Sequence, residues 1–190
     1  MTATTTTPPK GIIRDYTETI LICAVFVIFT RAFIFQQSKI PSGSMQDTLE
    51  IGDYIMVNRY VYSPANTAFE KALLPVRDVK RLDIVVFKFP TEPETDYIKR
   101  VIALPGETVE VRDGNVLVDG QKIAEGYVNP EYQKRSADFA PTTVPPNSYF
   151  VMGDHRNNSL DSRHWGPVPK KYIVGKVKVR WWPLQEARIF

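Results

Sequence analysis

Pro41-Ser42-Gly43-Ser44-Met45 sets two hydroxyls on either side of a glycine, where the backbone can turn sharply and come close to a ligand. The chemistry open to such a stretch is nucleophilic attack by a serine, provided a base removes its proton. By itself the stretch fits a solvated turn equally well. A candidate base stands in Asp96-Tyr97-Ile98-Lys99-Arg100-Val101. Side chains alternate faces along a strand, so Lys99 and Arg100 point opposite ways, while Tyr97 and Val101 share the face of Lys99. If Lys99 is the inward one, desolvation lowers its pKa from about 10.4 and leaves an amine able to accept a proton. If it faces out, it is the solvated member of an alternating strand. The third stretch, Gly153-Asp154 through Trp165-Gly166, is dense in hydrogen-bonding groups directly after a strand. Asp161 and Arg163, two apart, could pair on one face of an extended chain. The stretch reads either as a polar loop with local Asx turns or as support for a site.

Composition narrows the chemistry. Of 190 residues, 43% are hydrophobic and 24% charged, which suits one compact domain with an appendage and excludes a wholly disordered chain. A formal charge of +3 is too weak to imply a nucleic-acid partner. The single cysteine, Cys23, excludes an internal disulfide and a cysteine-rich zinc site. With only His155 and His164, a histidine metal cluster is not expected either, and no cofactor is called for.

These residues need elements to carry them. Residues 1–15 are rich in Thr and Pro at their start and are expected to form a disordered cytoplasmic N-terminus. Ile20 to Phe29 is an unbroken apolar run that resumes at Ala32 after Thr30 and Arg31. Crossing ~30 Å of hydrocarbon takes about 20 helical residues, so 16–36 is expected to be one transmembrane helix, with Glu18 at one interface and Arg31 snorkelling to the other. A cleaved signal peptide fits less well, because no small-x-small site follows directly. A buried core helix fits less well too, because the run lacks an amphipathic period. Lys10 and Arg14 favour a cytoplasmic N-terminus, which places 37–190 on the extracytoplasmic face.

Beyond Asp53 the pattern is short apolar runs between turn residues. Tyr54–Val57, Ile84–Phe87, Tyr97–Ile102, Thr108–Val111, Val116–Val118, Tyr149–Met152 and Val174–Trp181 read as strands. Asp113-Gly114 and Asp119-Gly120 are hairpin turns. Ser63 to Asp78 and Pro130 to Asn147 read as long surface connections. Strands this close, without helical periods between them, predict a mainly β domain of antiparallel sheets.

In order along the chain, these stretches resemble bacterial signal peptidase I, the membrane-bound Ser/Lys leader peptidases. Ile40 to Met45 is similar to the nucleophile box and Gly52 to Val57 to the box after it. Arg81 to Phe87 with Asp96 to Glu107 is similar to the lysine box, and Gly153 to Gly166 to the last. The resemblance covers roughly residues 31–175. It implies a signal-peptidase-like catalytic domain in the inner membrane that cuts secretory preproteins after small-x-small motifs, with lipid as its surroundings and no metal or cofactor. Carried over by position, Ser44 is the nucleophile and Lys99 the general base. The Ser44 N–H and the Ser42 hydroxyl form the oxyanion hole, and Ser159 holds the amine of Lys99. Asp154, Asp161, Arg163 and Arg100 match supporting positions. Ile40, Ile55, Val86 and Ile98 match the walls of shallow pockets for small substrate side chains. Trp181 and Trp182 are expected at the lipid interface.

Two departures stand out. Asp47 occupies a position commonly Pro, and His155 and Asn157 replace residues more often Asn and Asp. They leave the dyad intact and bear on loop geometry and substrate preference. Three other readings remain to be compared: a self-cleaving Ser/Lys repressor relative, a Ser/His triad using His155 or His164, and a non-catalytic membrane-tethered β module that binds secreted proteins.

Overall fold

The computed structural model describes residues 11–29, 35–62, 76–89, 92–134 and 136–190. A helix, α1, runs Ile12–Phe29, and the first strand, β1, is Phe35–Lys39. The expected 16–36 helix is thus redrawn. It starts at Ile12, inside the segment expected to be disordered, and Phe35 and Gln36 belong to a strand. Residues 1–10 and 30–34 lie outside the described residues. No helix among the described residues is long and apolar enough to cross a membrane. The first two turns of α1 carry Arg14, Asp15 and Glu18, and Arg14 pairs with Glu18 at 2.8 Å.

Two antiparallel sheets make up the rest. The strands are β2 (Tyr54–Asn58), β3 (Ile84–Phe89), β4 (Glu92–Ala103), β5 (Thr108–Arg112), β6 (Asn115–Val118), β7 (Gln121–Lys122), β8 (Phe139–Thr143), β9 (Ser148–Met152), β10 (Val168–Pro169), β11 (Ile173–Trp182) and β12 (Arg188–Ile189). The larger sheet has the order β1-β2-β11-β3-β4-β9-β10, with β12 on β11, and the smaller is β7-β6-β5-β8. The seven expected strands are all present. Asp113-Gly114 and Asp119-Gly120 have positive φ at both residues, as the tight hairpin turns they form require.

The connection expected over Pro130 to Asn147 contains structure instead. A short helix, α2 (Pro130–Lys134), is followed by β8, which pairs with β5. Phe139-Ala140-Pro141-Thr142-Thr143 is an edge strand with little burial, so it shows neither apolar alternation nor an excluded proline. A last helical turn, α3 (Ser162–Trp165), follows the polar loop.

The core is split into three apolar clusters. One joins Ile40, Met45, Leu49, Ile55, Ile84, Val86 and Val177, and anchors the turn that carries Ser44. Another lies between the small sheet and the ends of β4 and β9, around Phe150 and Met152. A third gathers Val85, Phe87, Val101 and Val151, with Trp165 packed on it.

Asp83 pins the entrance to β3. Its carboxylate accepts from both terminal nitrogens of Arg77 at 2.7 Å, from the Tyr62 hydroxyl at 2.9 Å and from the Lys80 N–H at 2.9 Å, with the Lys176 amine at 3.0 Å. Burial alone would raise its pKa; these donors overcome that and hold it at about 2. A carboxylate depressed from 3.8 to about 2 contributes about 2 kcal/mol of stability above pH 4, lost as pH falls through 2. Asp83→Asn should therefore lower the melting temperature at neutral pH and flatten its dependence on pH below 4. Thermal melts across that range are the check, and an equally steep acid limb in the variant would refute the role.

Candidate active site

Ser44 sits in a single 3₁₀ turn, Gly43–Met45. Met45 and Leu49, 1% and 0% exposed, plug the turn into the apolar cluster beneath it. The leading amides of such a turn, Ser44's among them, have no acceptor within it. The Ser44 carbonyl accepts the His155 N–H at 3.1 Å, which fixes the turn against the polar loop. Ser42, extended and exposed, lines the same cavity as Ser44.

Lys99 and Arg100 do point opposite ways along β4, and neither faces water: they are 3% and 8% exposed. The Lys99 amine lies 2.7 Å from Ser44 Oγ and donates to the Ile98 carbonyl at 3.0 Å. Burial lowers its pKa from the ordinary 10.5 to about 8, against the pull of the Asp161 and Asp154 carboxylates. The site thus disfavours the ammonium by about 3 kcal/mol, and at pH 7 about a tenth of the amine is free base.

Arg100, on the other face, grips Asp154 with two bonds, Nε at 2.9 Å and Nη2 at 2.6 Å, and Thr48 Oγ1 donates to the same carboxylate at 2.6 Å. Asp161 caps α3 and binds Arg163 through both oxygens at 2.8 Å. Burial pushes the Asp161 pKa up, but Arg163 and the Gly153 N–H together hold it below the ordinary carboxylate value. The expected pairing of Asp161 with Arg163 is therefore made, within the first turn of a helix rather than along an extended chain.

A cavity of about 800 Å³ opens beside Ser44 and Lys99. Ser42, Ser44, Lys99 and Ser159 line it together with Glu131, Tyr132, His155, Asn157, Asn158 and His164. Ser159 is there, but its buried Oγ is not bonded to the Lys99 amine. The expected bond from Ser159 to the Lys99 amine is not formed; Ser44 and the Ile98 carbonyl take that place. Neither histidine is bonded to Ser44 through its ring. The His155 ring stacks on Tyr132 at 3.8 Å and its Nδ1 has no partner, and His164 is exposed. Ile40, Ile55 and Val86 are 3%, 0% and 0% exposed and lie with the partly buried Ile98 in the apolar cluster below Ser44, not along this cavity. No group of three or more metal-ligating side chains occurs among the described residues.

Residues 13–182 match the family model described as signal peptidase, peptidase S26. The chain belongs to this family. It is 34% identical to a signal peptidase I of Pseudomonas aeruginosa, over 92% of this chain and 75% of that one. It is 40% identical to a signal peptidase I of Leptolyngbya laminosa, over 88% and 78%, and 35% identical to signal peptidase I P of Bacillus subtilis subsp. natto, over 94% of each. The resemblance drawn from the four boxes is thereby borne out. An S26 signal peptidase is a serine peptidase, which leaves no place for the non-catalytic β module.

Within this S26 chain the departure at Asp47 has a visible consequence. Asp47 adopts φ 71°, a left-handed conformation that an aspartate tolerates and a proline ring, locked near −65°, does not. Its carboxylate accepts from Asn129 at 3.0 Å, and the other departure, His155, carries the Tyr132 ring. Asp47 and His155 thus contact one stretch, residues 129–132. Glu125, Tyr127 and Arg156 were not legible as site residues. Arg156 is 2% exposed and paired with Glu125 across 31 positions, a separation no local motif reports.

Proposed function

We propose that this chain removes N-terminal signal peptides from exported preproteins, with Ser44 as nucleophile and neutral Lys99 as general base. The observation that carries the reading is the 2.7 Å approach of the Lys99 amine to Ser44 Oγ in a buried setting. Free-base Lys99 takes the hydroxyl proton as Ser44 attacks the scissile carbonyl. The resulting oxyanion is met by the Ser44 N–H and the Ser42 hydroxyl, donors worth roughly 3 kcal/mol each. The proton passes from Lys99 to the leaving amine, and the signal peptide remains as an ester on Ser44. Water, deprotonated by Lys99, then releases it. Asp154, Asp161, Arg100 and Arg163 hold the surrounding loop in pairs of opposite charge.

Preference for small residues before the cut is supported by packing. Ile40, Ile55, Val86 and Ile98 back the Ser44 turn from the apolar cluster beneath it, so the floor under the nucleophile is already filled and offers no deep side-chain hole. Lysine is favoured over histidine as base because Lys99, not His155 or His164, is within hydrogen-bond reach of Ser44 Oγ.

The enzyme works as a membrane-anchored peptidase with its catalytic domain on the extracytoplasmic face. Support comes from α1, on which Ile20, Leu21, Ile22, Val25 and Phe26 are each more than half exposed. Such a surface needs lipid or protein around it. Trp182, 47% exposed, with Leu184 and Ile189, adds an apolar edge suited to the interface. Trp181→Ala with Trp182→Ala should weaken binding of a chain lacking residues 1–34 to lipid vesicles; unchanged binding would remove that edge from the account.

Incubation of a preprotein with wild type, Ser44→Ala and Lys99→Ala, with the cut position read by mass, tests the function. Cleavage after a small-x-small motif by wild type alone is expected. Equal cleavage by either variant would overturn the dyad.

A further inference from the structure

We infer that the stretch from Glu125 to Tyr132 is a brace that positions the dyad, and that Glu125 and Tyr127 are positioning residues for the reaction. The inference rests on the Ser44–Lys99 reading above. The reacting groups lie on two segments far apart in sequence, the 3₁₀ turn and β4, and a third segment, the 153–161 loop, holds the turn through the His155 N–H on the Ser44 carbonyl. Their meeting is a single hydrogen bond, and a drift of about 1 Å between them would cost much of the rate. This one stretch, leaving the small sheet after β7, is attached to all three.

On the loop, Glu125 binds both terminal nitrogens of Arg156, Nη1 at 3.0 Å and Nη2 in a closer contact. Arg156 in turn donates through Nε to the Gly153 carbonyl at 3.1 Å. Gly153 lies so close to Ser159 and the Ser44 carbonyl that no side chain would fit between them. Tyr132 adds its ring to the face of His155, whose N–H is bound to the same Ser44 carbonyl. On β4, the Tyr127 ring lies over the Arg100 guanidinium at 3.9 Å, next in sequence to Lys99. The Tyr127 hydroxyl donates to Glu125 at 3.1 Å, so the two attachments are joined. On the turn, Asn129 donates to Asp47 at 3.0 Å, three residues beyond the nucleophile.

Each attachment ends near a reacting group without touching it. Glu125 and Tyr127 do not line the cavity, so they have no direct contact with a substrate lying there. Their loss should appear in kcat and not in KM, because what they supply is alignment in the transition state. Glu125 and Arg156, 8% and 2% exposed, also form a bidentate pair shielded from water, which resists the screening that weakens surface pairs. Two of the three residues that depart from the family pattern, Asp47 and His155, are attachment points of this brace.

The test compares the full chain with Tyr127→Leu, Tyr127→Phe, Glu125→Gln and Asn129→Ala on a preprotein, with Ser44→Ala and Lys99→Ala as references and thermal melts to score folding. Tyr127→Leu is expected to lower kcat about tenfold with KM within about twofold, and Glu125→Gln to lower it about fivefold. Tyr127→Phe keeps the ring over Arg100 and should recover kcat to within about threefold of wild type. Asn129→Ala, at a partly exposed position outside the core clusters, should lower kcat about threefold and serves if Tyr127→Leu does not fold. Unchanged kcat in the folded variants, a rise in KM alone, or a Phe variant as impaired as Leu would overturn the brace. Cleavage by Ser44→Ala or Lys99→Ala would overturn the dyad instead. Loss in those two beside unchanged kcat in Tyr127→Leu would overturn the brace alone.

Discussion

Cleavage of a preprotein should rise with pH through about 8, and Lys99→Ala should retain no more than about a thousandth of the wild-type rate. At 3% exposure the amine is held below its usual 10.5 because the ammonium would lose its hydration, and the carboxylates of Asp161 and Asp154 only partly restore it. The base form is the active one, so acidification below about 8 adds a proton and removes the base. Each further unit of pH then costs about tenfold in rate until another group intervenes. The same shift bears on stability with its own sign. The unfolded chain holds this proton more tightly than the folded one, so the lysine's contribution to folding stability increases between about pH 8 and 10.5. Initial rates between about pH 6 and 9 are the measurement. A flat profile would refute a titrating base at this pKa.

Gly153→Ala should have the next largest effect on cleavage. A methyl group built on Gly153 would lie 2.5 Å from the Ser44 carbonyl oxygen, 2.3 Å from Ser159 Oγ and 2.5 Å from Ser159 Cβ. Ser159 could rotate its hydroxyl, but the Ser44 carbonyl is backbone and already bound to the His155 N–H. The turn must move away, and the nucleophile with it. We expect a fall in kcat of about 100-fold, with a loss of about 1–3 kcal/mol in stability. The backbone angle is not the cause, since Gly153 is not among the residues at positive φ. Gly120→Ala is the informative contrast: nothing lies within 4 Å of its added methyl and its φ is +75°, so it should cost stability through backbone strain while leaving kcat alone. Kinetics and melts on the two variants separate the cases. Wild-type kcat in Gly153→Ala would show that the crowding is relieved elsewhere.

The chain itself determined more of this protein than its fold. Alternation along 97–102 put Lys99 and Arg100 on opposite faces, and the two Asp-Gly pairs located their hairpins, because both follow from the local geometry of a strand and a tight turn. The four boxes gave the family, since side-chain types at fixed spacing are what a sequence preserves. Tertiary structure alone decided that both cations are buried, because a strand with two covered faces reads the same as one with a solvated face when each carries a charge. It alone joined Glu125 to Arg156 and laid Tyr127 on Arg100. Those contacts depend on how two sheets and a loop meet, and no local period records a meeting between segments that the chain brings together only on folding. The same is true of Ser159, which occupies the expected cavity while its hydroxyl leaves the amine to Ser44: direction within a loop is set by packing between segments, which the sequence does not record.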